Sequence, residues 1–393
     1  MADFHQPASL PTLHHLASAE STERDEELAS LSQEQPIALL LPALHSEMKA
    51  PALPNILRQV GELPYISEVV LSMNGMNAAQ AGEAAVICRQ WLGQKPLTLL
   101  WNDGPALRAL HDEVAPAPNQ GKGANIWMGL AWLLARGHQG IIVSHDTDIL
   151  NYGPSLLAKL CYPLAQPEMG YAFSKGYYSR VADRLYGRVT RLLIFPLTLA
   201  LQDVLGSSPM LEHFQSFRYP LSGEFAAQAS SLGDWSMPSG WGLEIAMLAE
   251  AKRHLPIERM CQVDLGFHYE HRHRPLQESG LELGLVDAAA EVARTLLFQV
   301  LDPASSDPAL GHALLQAYGK RASSWIERYA HVAKLNGLRD CRREEKSAVE
   351  AFTQALRVLL EQGAPTPPSL RPPASSVINQ RPEWSQRLLQ AAL

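Results

Sequence analysis

Between residues 36 and 148, four short apolar runs alternate with segments of helical spacing. PIALLLP at 36–42 ends in a proline, as a buried strand feeding a loop does. EVVLSMNG at 68–75, PLTLLWND at 96–103 and GIIVSHDTD at 140–148 repeat the pattern. The intervening segments, 51–64, 78–91 and GANIWMGLAWLLAR at 123–136, carry apolar residues at helical spacing. Strands joined through helices run parallel, so this stretch predicts an α/β layer around a largely parallel sheet.

Beyond 148 the pattern loosens. MGYAFSKGYYSR at 169–180 reads as a further strand, 188–201 as a helix kinked or started near Pro196, and 240–254 as a well-patterned helix. QVDLGFHYEHRH at 262–273 reads as a last strand. From about 275 the chain is helical, over 285–301, 309–335 and 340–362. Residues 1–35 are polar and read as a mobile arm or short cap, not core. GAPTPPSLRPP at 363–373 reads as an extended stretch that opens a proline-rich tail over 363–393. The expected units are therefore 1–35, an α/β domain over 36–275, a helical region over 276–362, and the tail.

Composition narrows the function. Over 393 residues, 33 Lys and Arg stand against 40 Asp and Glu, a net charge of −7. A mildly acidic chain does not wrap nucleic acid by bulk charge, although a local basic pocket remains open to it. Cys88, Cys161, Cys261 and Cys341 form no CxxC pair. That excludes a disulfide scaffold and fits a reducing cytoplasm. No apolar run approaches the ~20 residues of a membrane helix, and the N-terminus lacks the basic start and apolar core of a signal peptide. A cytoplasmic protein, free of membrane and nucleic acid, is the expectation.

The strongest chemical signal is Asp146-Thr147-Asp148 after Ile141-Ile142-Val143. Residues i and i+2 of a strand share a side, so both carboxylates reach the edge where open α/β sheets bind ligands. Such a pair repels unless a cation intervenes or one group takes a proton. A hard ion such as Mg²⁺ or Mn²⁺ suits oxygen ligands. The plainer alternative is one helix-capping and one solvated aspartate. His268, His271 and His273 cannot all face one way on a strand; one of them completing a carboxylate metal site is easier to build than a three-histidine zinc site. Gly121-Lys122-Gly123 lacks P-loop spacing, but Lys122 at a helix start can meet an anion. Gly187-Arg188-Val189-Thr190 opens a helix with the groups that hold a phosphate or carboxylate. Gly223-Glu224 and Glu244 place acidic groups near the presumed cleft.

In order, PAL at 42–44, GKG at 121–123, DTD at 146–148, GRVT at 187–190, SGE at 222–224, WGLEI at 241–245 and EHRHRPL at 270–276 resemble the glucosyl-3-phosphoglycerate synthase family. These are retaining transferases of the GT-A type. The resemblance runs over about residues 36–283. It implies a Rossmann-like GT-A domain with a mostly parallel sheet plus a C-terminal helical region. It implies transfer of glucose from UDP-, GDP- or ADP-glucose to 3-phosphoglycerate, on the way to the compatible solute glucosylglycerate. It assigns Pro42, Ala43, Leu44 and Glu47 to the nucleotide, and Lys122, Asp146 and Thr147 to the donor side. Asp148 and His271 would hold Mg²⁺ or Mn²⁺. Gly187, Arg188, Val189, Thr190 and His273 would seat the acceptor, with Glu244 beside the sugar or acceptor. A homodimer is also implied.

Departures fall at Leu44-His45-Ser46-Glu47, at Ser72-Met73-Asn74-Gly75 where the family carries a DSGSTD-like turn, and at His273 where it carries Asn. The first two touch the nucleotide pocket. Competing readings are a free-glycerate or mannose-transferring relative, a zinc hydrolase built on the three histidines, and a non-catalytic binding module.

Overall fold

The computed structural model describes residues 9–16, 22–115, 120–153, 155–266, 284–301, 308–361 and 368–393. Its strands are β1 (Thr12–Leu13), β2 (Ile37–Leu44), β3 (Ile66–Asn74), β4 (Leu97–Trp101), β5 (Ile141–Ser144), β6 (Phe173–Tyr177), β7 (Phe225–Gln228), β8 (Met237–Pro238), β9 (Met260–Asp264) and β10 (Leu370–Arg371). Eight of them form one sheet in the order β1-β9-β6-β7-β5-β2-β3-β4, while β8 and β10 pair separately. Within the large sheet β7 alone runs antiparallel to its neighbours. The mostly parallel sheet expected from the sequence is present.

The helices before the site are α1 (Thr22–Leu31), α2 (Ala52–Gly61), α3 (Ala78–Leu92), α4 (Pro105–Val114), α5 (Lys122–Ala135) and α6 (Ser155–Ala165). Those after it are α7 (Phe195–Leu205), α8 (Pro209–Ser216), α9 (Ala229–Leu232), α10 (Leu243–His254), α11 (Leu285–Val300), α12 (Pro308–Leu335), α13 (Arg342–Glu361), α14 (Ala374–Gln380) and α15 (Pro382–Gln390). Pleating sorts the apolar strand residues between two cores. On β2, Ala38 and Leu40 point to the side of α5, α7 and α10, whereas Ile37, Leu39 and Leu41 point to the side of α2, α3 and α6. Both faces are covered, which is why the run reads as continuously apolar instead of alternating.

The segment before α7 differs from a simple proline kink. Val189–Ile194 winds as a π-helix and continues into α7, with Pro196 in the first α-turn. Proline has no amide hydrogen to give its i−4 carbonyl. That carbonyl, Leu192 O, instead accepts the Tyr318 hydroxyl of α12 at 2.8 Å.

Both chain ends pack onto the body, and the N-terminal segment is not the arm outside the core that the sequence led one to expect. Leu10 is fully buried, and Thr12–Leu13 add an edge strand beside β9. Such a short strand has no periodicity to betray it. After residue 373 the tail is helical, and α14 and α15 pack on α5. Trp384 stacks edge-on against Trp127 with centroids 5.8 Å apart and donates its indole N–H to Leu110 O at 3.1 Å. Leu393 exchanges backbone hydrogen bonds with Leu99 of edge strand β4, at 2.9 and 3.1 Å, which covers an edge that would otherwise template another chain. Because Trp384 is 2% exposed, Trp384→Ala should lower the unfolding free energy by about 3–5 kcal/mol. Urea denaturation checks this; a loss near zero would mean that the terminal helices do not pack on α5.

Candidate active site

A cavity of about 930 Å³ opens at the carboxyl ends of β2, β3 and β5. It is lined by Pro42, Ala43, Leu44, Glu47, Lys122, Asp146, Thr147, Asp148, Glu244 and the four residues 187–190. Of the residues expected at the site and falling within the described residues, all but Gly223 and Glu224 are on this wall. His268, His271 and His273 lie outside the described residues, as does most of the expected last strand.

Lys122 is the centre of the arrangement. Its Nζ is 2.5 Å from Asp146 Oδ1 and donates to Glu244 Oε1 at 2.8 Å. Burial alone disfavours the ammonium, but Asp146 and Glu244 outweigh that and hold its pKa well above the usual lysine value. The anion met at the start of α5 is thus a pair of carboxylates. Asp146 and Asp148 do not share a strand face as expected, because β5 ends at Ser144 and the DTD lies in the following loop. Asp146 turns to Lys122; Asp148 stays at the cavity wall.

The glycines around Lys122 explain its placement. A Cβ on Gly121 would sit 2.5 Å from Ser239 O, and one on Gly123 would collide with Pro238 O. The backbone after β8 therefore lies directly on the first turn of α5, and Ala124 N donates to Ser239 O at 3.0 Å. A Cβ on Gly223 would lie 2.5 Å from both Asp146 Oδ1 and Lys122 Nζ. Lys175 of β6 anchors this turn by donating to the Ser222 carbonyl. Burial pushes the Lys175 pKa down to about 8. Glu224, expected to add acidity to the cleft, is fully buried and off the cavity wall; Gly223 is the member of that pair that meets the site.

The end of the cavity lined by residues 42–47 holds two of the departures from the family pattern. Glu47, not Ser46, faces the cavity. Thr147 Oγ1 lies 3.2 Å from Pro42 O and against the Glu47 carboxyl. Burial first, then Asp148 and Asp146, push Glu47 up to about 7, against the lowering effect of the Thr147 hydrogen bond. Ser72, where the family turn begins, is fully buried and accepts the Asn102 side chain at 2.9 Å. The carboxylate at this end comes from Asp103 after β4. It accepts the Gly75 amide, the Met76 amide at 3.3 Å and the Asn74 side chain at 3.3 Å. Asp103, Arg108, Gln120, Arg180, Tyr219 and Trp241 also line the cavity, and sequence reasoning missed them. Only for Asp103 was there a usable signal, a polar residue directly after an apolar strand.

At the other end, Arg191 fixes the 187–190 turn. Its guanidinium donates to Tyr186 O at 2.8 Å, Leu185 O at 3.0 Å and Glu345 of α13 at 2.7 Å, and lies 4.5 Å from the Tyr329 ring centroid. Gly284, Leu285, Ala288 and Val292, at and within the start of α11, close the same wall, so the helical region contributes to the site. Among the described residues no three acidic, histidine or cysteine side chains form a metal cluster. Asp146, Asp148 and Glu47 nevertheless line one stretch of the cavity wall, and such an oxygen-rich edge fits a hard divalent ion.

A Rossmann-like sheet with a DTD loop at its carboxyl edge, and a cavity running from that loop to an arginine-bearing helix start, defines a GT-A glycosyltransferase. A glucosyl-3-phosphoglycerate synthase of Persephonella marina is 36% identical over 400 residues, covering 100% of this chain and 98% of the relative. One of Methanococcoides burtonii is 29% identical, covering 100% of this chain and 97% of the relative. The chain belongs to the glucosyl-3-phosphoglycerate synthase family. The crystal structure of the Mycobacterium tuberculosis glucosyl-3-phosphoglycerate synthase with Mn²⁺, UDP and glucosyl-3-phosphoglycerate is similar, with a TM-score of 0.55 and 27% identity over 75% of this chain and 90% of that one. No protein-family profile matches the chain.

Two outcomes follow. Gly223→Ala should cut kcat/KM by about 100-fold, the scale of an ångström-sized misplacement at a reacting centre, with the fold retained; steady-state kinetics and circular dichroism check it. For Glu47, the folded group still holds its proton between about 4.5 and about 7 while the unfolded chain has lost it. Its contribution is therefore present below about 4.5 and lost as pH rises to about 7. In metal-free protein, the melting temperature of Glu47→Gln minus that of wild type should grow from pH 5 to pH 8. An equal difference at both values contradicts the assignment.

Proposed function

We infer that this chain transfers glucose from a nucleoside-diphosphate glucose to the 2-hydroxyl of 3-phosphoglycerate, with retention at the anomeric carbon. The observation that carries this reading is the one continuous cavity whose wall holds both the 42–47 segment and the 187–190 turn. The M. tuberculosis relative, crystallised with UDP-glucose, Mn²⁺ and phosphoglyceric acid, supports the same pairing of substrates.

In this reading Pro42, Ala43, Leu44 and Glu47 seat the nucleoside. Asp103 shapes the Asn74–Met76 turn against the base. Lys122, Asp146 and Thr147 face the ribose and sugar. Lys122 brings a fixed positive charge to a donor whose diphosphate becomes the leaving group, and it needs no reorganisation to do so. Asp148, with His271, would hold Mg²⁺ or Mn²⁺, which neutralises the diphosphate as the nucleotide departs. Gly187, Arg188, Val189 and Thr190, with His273, seat the acceptor. Glu244 is bound to Lys122, so it serves to hold that lysine and not as a free nucleophile. The family resemblance implies same-face attack by the acceptor hydroxyl, assisted by the leaving phosphate, as the route to retention.

Assembly as a homodimer and a cytoplasmic location belong to the same reading. For the latter, all four cysteines are buried free thiols, as a reducing compartment keeps them.

The test is a panel of UDP-, GDP- and ADP-glucose and GDP-mannose against 3-phosphoglycerate and glycerate, with Mg²⁺, Mn²⁺ or chelator. Glucose transfer to 3-phosphoglycerate that stops on chelation is expected. Hydrolysis without transfer, or full activity in chelator, overturns the reading.

A further inference from the structure

The acceptor end of the cavity carries three arginines, Arg180, Arg184 and Arg188. Arg184 is already engaged: it lies 4.9 Å over the Tyr186 ring and 3.9 Å from Asp183. Arg188 belongs to the turn assigned to the acceptor. Arg180 has no role so far.

Its position is set by a tight hairpin. Val181 and Leu185 pair as an antiparallel bridge, and Tyr186 N donates to Arg180 O at 3.0 Å. This folds Arg180 back beside the 187–190 turn. The Arg180 side chain is hydrogen-bonded to Tyr219. The Tyr219 hydroxyl in turn lies 3.6 Å from where a Gly187 Cβ would be, and its ring stacks edge-on with Tyr178 at 4.9 Å. Asp148 is the carboxylate that acts on Arg180. The guanidinium therefore lies between the DTD loop and the acceptor turn.

The acceptor's own chemistry has the same order. Its carboxylate is attached to the carbon that bears the reacting hydroxyl, and its phosphate is one carbon further away. When that hydroxyl faces the donor, the carboxylate stays one bond from the reacting carbon, while the phosphate can reach further from the DTD loop. Two desolvated anions require cations at two depths. We propose that Arg180 binds the acceptor's carboxylate, while Arg188 and the 187–190 turn take its phosphate. This rests on the acceptor reading above. It adds a second specificity residue: one that rejects acceptors lacking the carboxylate.

The experiment compares wild type, Arg180→Gln, Arg180→Lys and Arg188→Gln. The acceptors are 3-phosphoglycerate, glycerol 3-phosphate, which lacks the carboxylate, and glycerate, which lacks the phosphate. Each is used as substrate or, where turnover is slow, as competitive inhibitor. Arg180→Gln should weaken 3-phosphoglycerate by about 10- to 100-fold, the usual cost of losing a charged hydrogen bond, and leave glycerol 3-phosphate within about twofold, so that the preference between them collapses. Arg180→Lys should restore part of it. Equal weakening of both phosphorylated acceptors, or a change confined to the donor KM, overturns the proposal. Arg188→Gln should instead erase the preference for 3-phosphoglycerate over glycerate. If that preference survives, the acceptor-turn reading fails, independently of the first comparison.

Discussion

An ammonium group held between two carboxylates organises this molecule's working surface. Lys122 joins Asp146, after β5, to Glu244, in the first turn of α10, across 2.5 and 2.8 Å. Three stretches of chain distant in sequence are thereby fixed at one sheet edge. A buried pair of this kind is costly unless its geometry is well satisfied. Two carboxylates around one lysine satisfy it, and they leave the charge in place at every physiological pH.

Much of the remaining structure serves to hold that lysine still. The backbone of Pro238 and Ser239 lies on the glycines that flank it. Arg371 of β10 is fully buried, donates to Ser239 Oγ at 3.1 Å and lies 5.5 Å from the Trp127 ring centroid. Trp127 in turn donates to Pro372 O at 2.7 Å. The C-terminal segment is therefore a brace for α5, the helix that Lys122 begins. The helices from α11 to α13 do the same for the 187–190 turn, through Arg191 and Glu345. Neither segment shows a chemical motif, yet both bear on the chemistry through packing.

The alternating frame was legible because buried parallel strands are apolar runs closed by loop residues, as at 37–44 and 141–144. Helices α11 to α13 were legible from their periodicity. The antiparallel β7 was not: Phe225–Gln228 is four residues long, and strand direction leaves no trace in sequence. Helices α4 and α15 start on Pro105 and Pro382, and prolines that begin helices look like breakers. At the site, residue identities could be read from the ordered motifs, but the pairings could not. Nothing local says that Lys122 turns to Asp146 and Glu244, or that Asp103 accepts from the turn at 74–76. Such contacts are made by the fold, across long separations.

Replacing Lys122 with methionine, which keeps the stem and removes the charge, probes the account most directly. Calorimetric binding of the donor nucleotide and the rate of glucose transfer would be measured on the same folded preparation. The account predicts transfer reduced by more than about 100-fold, as for removal of a preorganised charge at a reacting centre, with weaker nucleotide binding and the fold preserved. Transfer within a few-fold of wild type would show that the lysine between Asp146 and Glu244 is not what the site is built around.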